Sequence, residues 1–122
     1  MIHCDQRWQL PAADELAALL ALDEAVRAII LKGSLVCGGA DRFSDVDLTI
    51  IAEDGAIDRY AGYMHWLAPM GAVFAAQRFA DDRGVTMRLC LEDFRRFDLS
   101  FLCRSGIDEG ERNRLFATIG CF

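Results

Sequence analysis

Two acidic residues, Asp45 and Asp47, head an apolar run, Asp-Val-Asp-Leu-Thr-Ile-Ile. On a strand, residues two apart project from the same face with Cα atoms roughly 6.5–7 Å apart. Carboxylates that close repel, and each raises the other's pKa unless a cation lies between them. Mg²⁺ favours carboxylate oxygens completed by water and substrate phosphates. A carboxylate pair can clamp two such ions about 3.5–4 Å apart, the arrangement used for in-line phosphoryl and nucleotidyl displacement. Upstream, Leu31-Lys32 runs into Gly33-Ser34. Glycine lets backbone approach a phosphate closely, the Ser34 hydroxyl adds a donor, and free N–H groups at the start of a turn favour anions. Gly38 and Gly39 allow the loop to fold back.

These residues carry a resemblance. Gly33-Ser34, Gly38, Ser44-Asp45, Asp47 and Leu48 are similar to the Gly-Ser-x-x-x-Gly…Ser-Asp-x-Asp-Leu signature of DNA polymerase β-like nucleotidyltransferases. The interval to the first Asp is the one common in the minimal nucleotidyltransferases of prokaryotes, and the stretch from Trp66 through Phe101 resembles the N-terminal part of antibiotic adenylyltransferases. The resemblance extends more loosely from Asp14 to Leu102 and implies a third carboxylate on a later strand. Asp98, in Arg96-Phe97-Asp98-Leu99-Ser100-Phe101, an acid in a strand otherwise built for burial, is the candidate; Glu92 and Asp93 read as the turn before it. The resemblance implies that Asp45, Asp47 and Asp98 are catalytic and hold Mg²⁺ or Mn²⁺, and that Asp98 orients or deprotonates an acceptor hydroxyl. Gly33, Ser34, Arg42 and Ser44 would contact the nucleotide, ATP or another NTP.

The elements expected to position these groups follow from pattern. A helix is expected from Asp14 to about Leu22, with Pro11 marking its entry. Strands are expected at Val26–Lys32, Asp45–Ile51, Val73–Phe79, Val85–Leu91 and Phe94–Leu102, the third and fourth joined as a hairpin by Asp81-Asp82-Arg83-Gly84. A second helix is expected at Asp58–Leu67 and a short one around Glu109–Phe116. The fold class is α/β (α+β): one small, mixed, mostly antiparallel sheet with helices on one face, as a single nucleotidyltransferase domain over residues 1–122.

Net charge −6 and pI 4.8 disfavour long DNA or RNA, whose binding rests on Lys and Arg displacing counterions. Metal ions reverse the local sign and keep a nucleotide compatible. Cys4, Cys37, Cys90, Cys103 and Cys121 show no Cys-x-x-Cys pair and read as reduced thiols of a cytoplasmic protein. His3 and His65 lack ligand-spaced partners, which argues against zinc. Tyr63, His65 and Trp66 read as packing. No apolar run is long enough to cross a membrane.

The function expected is transfer of a nucleoside monophosphate from an NTP to a hydroxyl, with pyrophosphate release. One version pairs the chain with a helical HEPN-like protein in antitoxin manner; a homodimer is the other partner option. Another is an aminoglycoside or lincosamide nucleotidyltransferase acting on a small-molecule acceptor. Many relatives carry a helical domain for base and acceptor, which a separate subunit, a dimer mate or a further domain would supply here. Lys32 departs from the family, where that position is often aromatic or apolar. A non-catalytic partner-binding module is the reading of another class.

Overall fold

The structure is a computed structural model that describes residues 8–33, 44–62 and 64–106. Ser34, Arg42, Gly38, Gly39, Tyr63, His3 and the Glu109–Phe116 segment lie outside the described residues.

Helix α1 (Gln9–Ala21) leads into strand β1 (Val26–Lys32). Strand β2 (Val46–Ala52) follows, then a 3₁₀ turn at Asp54–Ala56, helix α2 (Ile57–Gly62) and a second 3₁₀ turn at Met64–Leu67. Strands β3 (Val73–Ala80), β4 (Gly84–Leu91) and β5 (Arg96–Cys103) complete a five-stranded sheet of order β1-β2-β5-β4-β3. Among the described strands, β2 and β5 are the parallel pair and the other neighbours are antiparallel. The mixed, mostly antiparallel sheet is the one expected from the sequence.

Alternation along the strands divides the sheet into two faces. On one, Val46, Leu48 and Ile50 align with Phe97, Leu99 and Phe101, which align with Leu89, Met87 and Val85. All are buried, in one cluster with Leu16 and Leu20 of α1 and Ile57 and Tyr60 of α2. Tyr60 stacks on Phe101 at 5.2 Å between ring centroids, and Trp66 meets both rings edge-on. The expected packing role of Trp66 is therefore observed.

The two helices differ most from expectation. Helix α1 begins at Gln9, and Pro11 lies inside its first turn, where a missing N–H costs no helical bond. Its N-cap, Trp8, makes no side-chain cap, so the usual start signal is missing from the sequence. The helix expected at Asp58–Leu67 is broken into α2 and the second 3₁₀ turn, with Gly62 as the last α-helical residue; glycine weakens helix continuation.

Asp23 ties the α1–β1 corner to α2. Its carboxylate accepts from Ala25 N (2.9 Å) and Tyr60 Oη (2.7 Å), with Arg59 Nη2 at 3.1 Å. The Tyr60 hydrogen bond, then that from Ala25, lower its pKa against the opposing effect of burial, with Arg59 adding to the lowering. The folded-state pKa is thus below the unfolded one. This contribution is present above the unfolded value and is lost as pH falls through the folded value. Urea titrations of wild type and Asp23→Asn at pH 6 and pH 3 should show the larger acid-induced loss in wild type.

Candidate active site

The face opposite the core is polar where it matters. At one level across all five strands the register aligns Lys32, Asp47, Asp98, Arg88 and Gln77. The next level along carries Thr49, Ser100 and Thr86, with Thr86 Oγ1 3.2 Å from Ser100 Oγ. Asp47 and Asp98 are direct neighbours on the parallel β2–β5 pair, so their backbones are about 4.8 Å apart. Asp45 lies just before β2 rather than on it, a small correction to the expected strand start. Glu92 and Asp93 occupy the turn before β5, as expected.

The three acids interact. Burial raises the Asp47 pKa first, and Asp98 and then Asp45 add to the rise, with Lys32 and Arg88 opposing it. Burial also leads the rise at Asp98; Arg88 opposes it most, Asp45 adds to it, and Lys32 opposes it. Among the described residues, no three His, Cys, Asp or Glu side chains already form a metal-ligand group. Asp98 Oδ2 instead lies 3.7 Å from Arg88 Nε. Its other oxygen, Oδ1, is buried and accepts no hydrogen bond. A buried carboxylate oxygen without a donor is costly, and a divalent cation is the partner that an all-oxygen donor set with mutual repulsion accepts best. The residues present therefore fit a Mg²⁺- or Mn²⁺-type ion.

Gly33 shapes the other side. It ends β1 with φ +79°, and a Cβ there would come within 3.1 Å of Asp47 Oδ2 and 3.3 Å of Asp47 Cβ. The glycine permits both a left-handed backbone and a close approach to the acid. Gly33→Ala should lower stability by about 1–2 kcal/mol from the backbone conformation alone and push the Asp47 side chain aside. A urea titration checks the first effect, and divalent-metal affinity the second.

Ser44 is held from outside the site. Gln9, fully buried in α1, donates from Nε2 to the Ser44 carbonyl at 3.1 Å, fixing the chain one residue before Asp45. Sequence reasoning missed Gln9, because a single glutamine at the head of an Ala-rich helix carries no signal. It also missed Arg88, although the alternation Thr86, Arg88, Cys90 against Val85, Met87, Leu89 marks it as facing away from the core. A cleft of about 580 Å³ extends from Asp45 and Asp98 over β4 and β3, lined among others by Gln77, Arg88, Cys90 and Arg96. Cys90 and Cys103 are free thiols. No helix among the described residues is long and apolar enough to cross a membrane.

The sheet order β1-β2-β5-β4-β3 sets two acids side by side on its parallel strand pair. The family model described as streptomycin adenylyltransferase matches residues 13–119, and the chain belongs to that family. No curated protein matches it. Among solved structures, the chain is similar to a cytoplasmic RNA terminal U-transferase, with 19% identity and TM-score 0.65 over 98% of this chain and 34% of that one. It is also similar to an aminoglycoside 6-adenyltransferase from Bacillus subtilis, with 20% identity and TM-score 0.56 over 86% of this chain and 37% of that one. A third is the Cid1 poly(U) polymerase bound to Mg 3′-dATP, at 19% identity and TM-score 0.63, covering 94% of this chain and 34% of that one. The chain thus spans about a third of the length of these solved proteins.

Proposed function

We propose that the chain transfers a nucleoside monophosphate, AMP from ATP in the first instance, to a hydroxyl acceptor and releases pyrophosphate. The observation that carries this reading is the adjacency of Asp47 and Asp98 on the parallel central strands, with Asp98 Oδ1 buried and without a donor. Asp45, Asp47 and Asp98 would hold Mg²⁺ or Mn²⁺, which supplies positive charge where the α-phosphate gains negative charge as pyrophosphate leaves. Gly33, whose missing Cβ leaves the approach to Asp47 open, would lie beside the triphosphate, and Ser34, Arg42 and Ser44 would contact the nucleotide. On the opposite side of the acids, the cleft over β4 and β3 is the natural acceptor side. There Asp98, whose pKa is raised, is suited to take the acceptor's proton as its oxygen bonds to the α-phosphorus.

The matched family's name, streptomycin adenylyltransferase, favours a small aminoglycoside acceptor over a lincosamide or a HEPN-like protein partner. The net charge of −6 also favours a small acceptor over RNA. The test is incubation of the chain with Mg²⁺ and labelled ATP, with and without streptomycin, other aminoglycosides and lincosamides. Acceptor-dependent pyrophosphate release, with the label moving to the acceptor, supports the proposal. ATP binding that needs no metal and yields no pyrophosphate with any acceptor argues for a non-catalytic module.

A further inference from the structure

Arg88 stands directly across the β4–β5 pair from Asp98, on the flank away from Asp47. Its link to the acid is loose. The separation of 3.7 Å between Nε and Oδ2 is too long for a hydrogen bond, so the guanidinium contributes charge rather than a directed bond. It is also the more solvent-exposed member of the pair, at 64% against 22% for Asp98. In that same position the guanidinium lies over the Phe79 ring, 5.6 Å from its centroid. An arginine so placed can leave the carboxylate without being stranded, because solvent and the ring still receive it. The other cation of the row, Lys32, is aligned with Asp47 on the far side, so Arg88 is the cation aligned with Asp98 itself.

We infer that Arg88 is a displaceable counter-ion for Asp98: it balances the third carboxylate before the divalent ion arrives and yields the carboxylate when the ion binds. The inference rests on the metal reading of the site given above. Two consequences distinguish it from a structural ion pair. An arginine that must be displaced weakens metal binding, so its removal tightens it. The effect must also act through Asp98, and so must vanish when Asp98 no longer carries a charge.

The experiment measures Mn²⁺ affinity by the paramagnetic resonance signal of free Mn²⁺, for the full chain, Arg88→Gln, Asp98→Asn and the double variant, with Asp47→Asn as the reference for the site. Arg88→Gln should tighten Mn²⁺ binding about three- to fivefold, the change that corresponds to an exposed ion pair worth up to ~1 kcal/mol. In the Asp98→Asn background the same substitution should leave affinity unchanged. Equal tightening in both backgrounds would show a general field effect, and unchanged or weakened binding in Arg88→Gln would show a structural or metal-supporting role; either overturns the inference while leaving the metal site standing. Mn²⁺ binding that is absent, or indifferent to Asp47→Asn, overturns the metal reading itself. Thermal melting of Arg88→Gln accompanies the titrations, with little change expected for so exposed a pair.

Discussion

Asp47→Asn should abolish nucleotidyl transfer, by on the order of 10³-fold or more, while the metal-free protein keeps or gains stability. Asp47 has an acid on either hand: Asp98 is its neighbour on β5, and Asp45 is two residues back. Burial and both neighbours push its pKa upward, so the fold favours the neutral form. At neutral pH the ionised side chain subtracts stability, and acidification through its raised pKa returns it. Asparagine is neutral at every pH and removes that cost. The same charge is what a divalent ion needs, so catalysis and metal-free stability should move in opposite directions. Melting curves with and without Mg²⁺ check this: added Mg²⁺ and nucleotide should stabilise wild type and leave the variant unmoved.

Gly84→Ala should act through the fold instead. A Cβ at Gly84 would fall 1.8 Å from the Phe101 carbonyl oxygen and 2.8 Å from its carbon. Those are backbone atoms of the neighbouring strand, which cannot yield as a flexible side-chain tip can. Gly84 is also tied at the hairpin, donating to Asp81 Oδ1 at 3.1 Å while its carbonyl accepts from Asp81 N at 2.9 Å. The added methyl must part β4 from β5, the strand that carries Asp98. A loss of about 3 kcal/mol is expected, measurable as a lower urea midpoint. Activity should fall together with stability here, whereas in Asp47→Asn the two separate.

Strands are the most legible elements. Val26–Lys32 has the bounds expected, and the others shift by a residue or two at their ends, because runs of branched and alternating residues have one face to bury. The alternation of Phe97, Leu99 and Phe101 with Asp98 and Ser100 is enough by itself to set Asp98 on the face away from the core. The parallel register that brings Asp98 beside Asp47 is not legible in the strand pattern and is expected only through the family resemblance, since it joins segments about fifty residues apart and depends on the whole sheet. For the same reason the Arg88–Asp98 and Gln9–Ser44 relations are visible only in three dimensions. Helix ends are the least legible: α1 lacks a capping side chain, and the second helix breaks where Gly62 ends it.

Phe74, Phe79 and Phe94 are exposed, and Phe94 also has a left-handed backbone at φ 70°. Phe74 and Phe94 meet edge-on at 6.3 Å, beside the turn that leads into β5. Arg95 anchors that turn, donating to the Asp93 carboxylate at 2.8 Å and to the Met70 carbonyl. The start of the strand that delivers Asp98 is therefore fixed by polar contacts rather than by its aromatic side chain.

The decisive measurement is anomalous diffraction from crystals grown with Mn²⁺ and a non-hydrolysable ATP analogue. The predicted result is a manganese peak held by Asp45, Asp47 and Asp98, with the nucleotide bound beside it. Manganese bound elsewhere, with Asp98 still facing Arg88 and the nucleotide away from the three acids, would contradict the assignment of this face as the catalytic one.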